Sequence, residues 1–178
     1  MKKRIIGFVC TMVIAASLTA CSGKSSDLKI GQVDYAAHGT KSFTVATVVM
    51  DGDKIAKAYI DDFQFMNADS STLVPNSDKL AEGDFATNYK DPAVGLASKR
   101  ANAEAYSAHM AEAGGSTQDL ITNYTAIQKY AEGKTIAELE KTINGKTPEE
   151  VVDAVSSATL VDTQGYLKAI IEAAKAAK

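Results

Sequence analysis

The stretch that most restricts how this chain can fold is a pair of β-forming runs separated by Asp51-Gly52-Asp53. Residues 42–50 carry Phe43, Thr44, Val45, Thr47, Val48 and Val49, branched and aromatic side chains that suit a pleated strand. Residues 54–65 follow with Ile55, Ala56, Ala58, Tyr59 and Ile60. Asp-Gly favours a tight hairpin turn because glycine takes a positive φ with no Cβ to clash, so the two runs are expected to pair antiparallel. The apolar alternation is imperfect and leaves open which face is buried. A further short strand is expected over residues 28–35.

Downstream the pattern changes. Between residues 66 and 92, Asp69-Ser70-Ser71, Pro75-Asn76-Ser77 and Gly83-Asp84 mark turns. Phe85 and Tyr89 in this stretch are either walls for a planar ligand or pins that fix a loop to the core. The second half reads as helices. Residues 99–113 place Tyr106 and Met110 one turn apart, and Gly114-Gly115 closes that segment. Ser116 is the expected cap of a helix with Leu120, Tyr124, Ile127 and Ala131 on one face. Thr135-Ile136-Ala137-Glu138 has the form of a capping box, and Thr147-Pro148-Glu149-Glu150 repeats it with proline at the first helical position. The last helix carries Leu167, Ile170, Ile171 and Ala174 as an apolar stripe. Strands first and helices after predict an α+β fold, a small antiparallel sheet built on the N-terminal hairpin and packed with C-terminal helices, as one domain over residues 28–178.

The N-terminus reads as an export signal. Lys2, Lys3 and Arg4 precede a short apolar run from Ile5 to Leu18, and Leu18-Thr19-Ala20-Cys21 has the form of a lipobox. Residues 1–20 are therefore expected to be a lipoprotein signal peptide and residues 21–27 a lipidated tether. After loss of the leader with Cys10, Cys21 is the lone cysteine, which excludes an internal disulfide and suits an acylated anchor in the cell membrane facing the exterior. Taking Lys2, Lys3 and Arg4 from the 19 basic residues leaves 16 against 22 acidic ones, a formal charge of about −6. That balance gives no footprint for nucleic acid.

Familiar catalytic and metal constellations are absent. His38 and His109 have no partner at metal-ligand spacing, and no phosphate loop, dinucleotide fingerprint or nucleophile elbow occurs. No catalytic or metal residue is therefore expected. What remains is a run of small and hydroxyl-bearing residues from Val152 to Thr163 between two helical patterns. It is either a polar inter-helix loop with Thr159 as a plain N-cap, or a place where something large and polar approaches the backbone.

Within that run, Asp153-Ala154-Val155-Ser156-Ser157-Ala158-Thr159 resembles the flavinylation motif of the covalent FMN-binding domain family: Asp, two variable residues, Ser or Thr, Gly, Ala, then Thr or Ser. Ser157 stands at the glycine position. With the lipobox, the hairpin, Tyr130-Ala131-Glu132-Gly133-Lys134-Thr135-Ile136 and Gly165-Tyr166-Leu167, the likeness extends over most of the mature chain, and is to the flavoprotein lipoproteins of Gram-positive extracellular electron transfer. The resemblance implies an FMN-binding-domain-like fold. It implies FMN held by a phosphoester to Thr159, with Asp153, Ser156, Ser157 and Ala158 completing the motif. The partners it implies are an FAD-dependent flavin transferase, the lipid bilayer through Cys21, and a membrane NADH dehydrogenase or quinol pool that supplies electrons for external acceptors. Such a chain is an electron carrier rather than an enzyme with its own substrate. A helix N-terminus just after Thr159 is expected to favour the phosphate. The alternatives are a non-redox surface lipoprotein of the same fold that has lost the flavin, or one that binds FMN non-covalently.

Overall fold

The computed structural model describes residues 27–77, 87–88, 91–155 and 157–178. Residues 1–20, expected to be a signal peptide, Cys21 and most of the expected tether, and Phe85, Tyr89 and Ser156 lie outside the described residues. The architecture is α+β. An antiparallel sheet of four strands and a two-residue fifth has the order β1-β2-β3-β5-β4, with β1 Leu28–Tyr35, β2 Phe43–Asp51, β3 Lys54–Asn67, β4 Thr87–Asn88 and β5 Asp91–Ser98. Five helices follow: α1 Ala103–Gly114, α2 Leu120–Ala131, α3 Ile136–Ile143, α4 Pro148–Ala154 and α5 Thr163–Lys175.

The hairpin forms as its residues dictate. Asp51 pairs with Lys54, and Gly52 turns the chain with φ 62°. Val49 opposes Lys57 while Met50 opposes Ile55, so the register slips by one residue on β3. This bulge explains the imperfect alternation. On β2, Thr44, Ala46, Val48 and Met50 are buried in strict alternation, whereas on β3 the inward residues run Ile55, Ala58, Ile60 and Asp62.

Strand β5 was not legible in the sequence. Asp91-Pro92-Ala93-Val94-Gly95-Leu96-Ala97-Ser98 is poor in β-formers. It extends because the far half of β3, Phe63–Asn67, offers it a ladder. The sheet is accordingly wider than one hairpin. Lys99 and Arg100, expected to open a helix, are instead tied to β3: Lys99 N–H donates to Asp62 O at 2.8 Å and Arg100 Nε to Ile60 O at 2.6 Å, so α1 starts only at Ala103. Asp119 rather than Ser116 caps α2, its carboxylate accepting from Thr122 N–H at 2.8 Å. Both threonine capping boxes form as read.

Helix α5 lies across β1 and β2, α2 covers β3, and α3 packs on α5. Leu167, Ile170 and Ile171 of α5 are buried with Ala174, so the apolar stripe faces the sheet. Two glycines permit this contact. A Cβ on Gly31 of β1 would sit 1.9 Å from Ala173 O, and one on Gly165 of α5 would sit 2.1 Å from Ala37 O. Among the described residues no helix is long and apolar enough to cross a membrane.

Candidate functional site

The segment between α4 and α5 is pinned from beneath and open above. Val155 and Ala158 are buried, and Ala158 N–H donates to Val155 O at 2.7 Å. Asp153, on the last turn of α4, is exposed, as are Ser157 and Thr159. Among the described residues no hydrogen bond joins Asp153 to Thr159. The motif's side chains thus sort by burial: the alanine packs inward, and the threonine faces out.

Helix α5 begins later than the sequence suggested. Its cap position is Asp162 and its first residue Thr163, so Thr159 stands three residues ahead of the cap and is not itself an N-cap. The physical reason is that the intervening residues bond elsewhere. Thr159 N–H donates to Asn123 Oδ1 at 2.6 Å, while Thr163 donates its N–H and hydroxyl to Leu160 O at 3.0 and 2.6 Å. Nor is the helix start an open anion cradle: the Asp162 carboxylate sits there, hydrogen-bonded to His38 Nδ1. The expectation that Thr159 stands at the helix N-terminus is corrected: it lies in the loop before it.

Beside the loop runs a groove of about 490 Å³. Its floor is the outer face of α2, where Ile121, Thr122, Thr125, Ala126 and Lys129 recur at helical spacing, with Tyr130 beside them. Val155 and Ser157 form the opposing wall. The walls are mainly apolar with a few hydroxyls and one ammonium, and the volume falls within the range of small-molecule sites, roughly 300–1,000 Å³. Among the described residues no three His, Cys, Asp or Glu side chains cluster as a metal site.

Below the same helices lies a buried polar network. Asp62 is fully buried and accepts from Lys99 Nζ at 2.8 Å, Tyr166 Oη at 2.7 Å and Ser42 Oγ at 3.3 Å, and from the Thr44 hydroxyl. Burial alone would raise its pKa, but the Lys99 charge and these donors hold it below the ordinary value. Neighbouring Asp61 goes the other way: burial raises its pKa against the opposing bonds from Ser98 and Arg100. Burial also drives the Tyr124 and Tyr166 hydroxyls upward, so both stay protonated. Their rings meet edge to face at 5.2 Å. Tyr106 of α1 lies with its ring 4.8 Å from Lys99 Nζ and covers this network.

The structure therefore brings Thr159 and Ser157 to one side of α2, leaves Asp153 exposed on α4, and buries Ala158. Asn123 and the outer face of α2 were missed in the sequence. Asn123 sits within an otherwise apolar periodic pattern, and its buried position is the signal that it bonds something specific. No protein-family model, curated protein or solved structure matches this chain.

Proposed function

We propose that this chain is an outward-facing lipoprotein of the FMN-binding-domain type, anchored to the cell membrane through Cys21 and carrying FMN as a phosphoester on Thr159. In this reading it passes electrons from a membrane NADH dehydrogenase or the quinol pool to external acceptors. The observation that carries the reading is an exposed threonine at the motif's acceptor position, two residues from a side chain that walls a ligand-sized groove. FMN supplies reversible one- and two-electron chemistry when bound.

The chain's own residues suit that group. Ile121, Ala126 and Tyr130 offer apolar surface for a planar ring, and Thr122 and Thr125 offer hydroxyls along its edge. Lys129 brings a positive charge to a groove that must take a phosphate or a ring with added electron density. The phosphoester keeps a small cofactor from diffusing away outside the cell.

Co-expression of the mature chain with a flavin transferase tests the reading. The intact mass is expected to rise by one FMN phosphoester, and Thr159→Ala to abolish the rise. An unmodified wild-type mass under conditions that label a glycine-containing motif sinks it. Ser157 at the glycine position favours a second reading, non-covalent FMN or none; there, neither wild type nor Thr159→Ala gains mass over its own sequence.

A further inference from the structure

We propose that Asn123 is the positioning residue that selects Thr159 among the neighbouring hydroxyls and orients it for flavin transfer. The inference rests on the flavin reading and deepens it. Asn123 is fully buried on α2, 36 residues from Thr159 in sequence. Its Nδ2 donates to Asp119 O at 2.9 Å and to Gln118 O at 3.4 Å. Those two carbonyls fix the amide so that Oδ1 faces the motif loop, and the Thr159 N–H at 2.6 Å independently requires an acceptor there.

The Thr159 hydroxyl lies 3.3 Å from the same oxygen. An amide oxygen only accepts, so the hydroxyl proton points inward to Asn123. Both lone pairs of Thr159 Oγ1 are then left for the exposed side, where an electrophile arrives. Among the described residues, the other hydroxyls of the run, Ser157 and Thr163, are not held by Asn123. Thr163 is buried with its hydroxyl donating to Leu160 O at 2.6 Å. Ser157 is exposed, and no hydrogen bond among the described residues orients its Oγ.

In the transfer, Thr159 Oγ1 forms the bond to the flavin-side phosphorus of FAD and the pyrophosphate P–O bond breaks. AMP leaves with that bonding pair. As the O–P bond forms, the hydroxyl proton gives up its hydrogen bond to Asn123 Oδ1, which is too weak a base to keep it, and passes to a base of the transferase on the exposed side. No electron changes hands. Asn123 touches none of the reacting phosphate atoms; it sets the hydroxyl's direction and holds the loop by its backbone.

The test compares mature wild type, Asn123→Asp and Asn123→Leu, each incubated with FAD, Mg²⁺ and a flavin transferase. Covalent FMN is followed by intact mass and located by peptide mapping. Wild type is expected to be modified at Thr159 alone. Asn123→Asp loses the Nδ2 donations to Asp119 O and Gln118 O but keeps an acceptor for Thr159, and is expected to be modified at Thr159 with a rate relative to wild type that climbs as the new carboxyl ionises. Asn123→Leu, with wild-type circular dichroism and cooperative melting, is expected to lose about tenfold in rate. If the leucine variant does not fold, the pH profile of the aspartate variant decides alone. A wild-type rate in folded Asn123→Leu, or an aspartate profile parallel to wild type, overturns the role of Asn123 and leaves FMN on Thr159 standing. A wild type that stays unmodified overturns the flavin reading and this role with it.

Discussion

The carboxylate of Asp62 sits beneath α1, α2 and α5 with Lys99 as its counter-charge and Thr44, Ser42 and Tyr166 as donors. Removing its charge strands the Lys99 ammonium, which is itself buried. Asp62→Asn is therefore expected to cost about 3–5 kcal/mol in a denaturant melt, far above a surface substitution. The same pair sets an acid limit. Because the folded state holds Asp62 below its ordinary 3.8, the unfolded chain takes up the proton first as pH falls. That contribution is whole well above pH 3.8 and is lost as pH drops from there through the folded-state value. Asp61, shifted upward, contributes with the opposite sign. Wild-type stability should therefore fall on acidification below that point, and the part due to Asp62 should be missing in Asp62→Asn. At this scale the sequence reveals little. Nothing local marks Asp62 as buried, because the residues that satisfy it, Lys99 and Tyr166, come from far along the chain.

Elements were more legible than residues wherever a local rule decides the outcome. The Asp-Gly hairpin and both threonine capping boxes depend on side chains within four residues of the turn or cap, and they formed where read. Strand β5 depends on pairing with β3 and overrides its own weak propensity, so no local pattern announced it. The start of α5 was misjudged for the same reason, since Asn123 holds Thr159 out of the helix. Gly165 offers a test at this scale. Glycine inside a helix ordinarily weakens it, and alanine there would add roughly 0.5–1 kcal/mol. Here the added Cβ would fall 2.1 Å from Ala37 O, so α5 must move off the end of β1. Gly165→Ala is expected to destabilise by about 1–3 kcal/mol, measured as a lowered melting midpoint. An unchanged or raised midpoint contradicts this account of α5 packing.

At the scale of the molecule, α5 closes the fold by lying on β1, and Tyr166 reaches from it to Asp62. Helix α2 then serves two sides at once: Tyr124 and Ile127 face the core, while Ile121, Thr125 and Lys129 line the groove beside the motif loop. The resemblance at residues 153–159 could be read from consecutive residues. The groove could not, because its walls come from segments about thirty residues apart that only the folded chain brings together. The central claim is a covalent flavin on Thr159, and the most direct measurement is the visible spectrum of the purified, transferase-treated mature protein before and after denaturation and removal of small molecules. The account predicts a yellow protein whose flavin absorbance stays with the unfolded chain and is absent in Thr159→Ala; a colourless protein, or colour that washes away on unfolding, contradicts it.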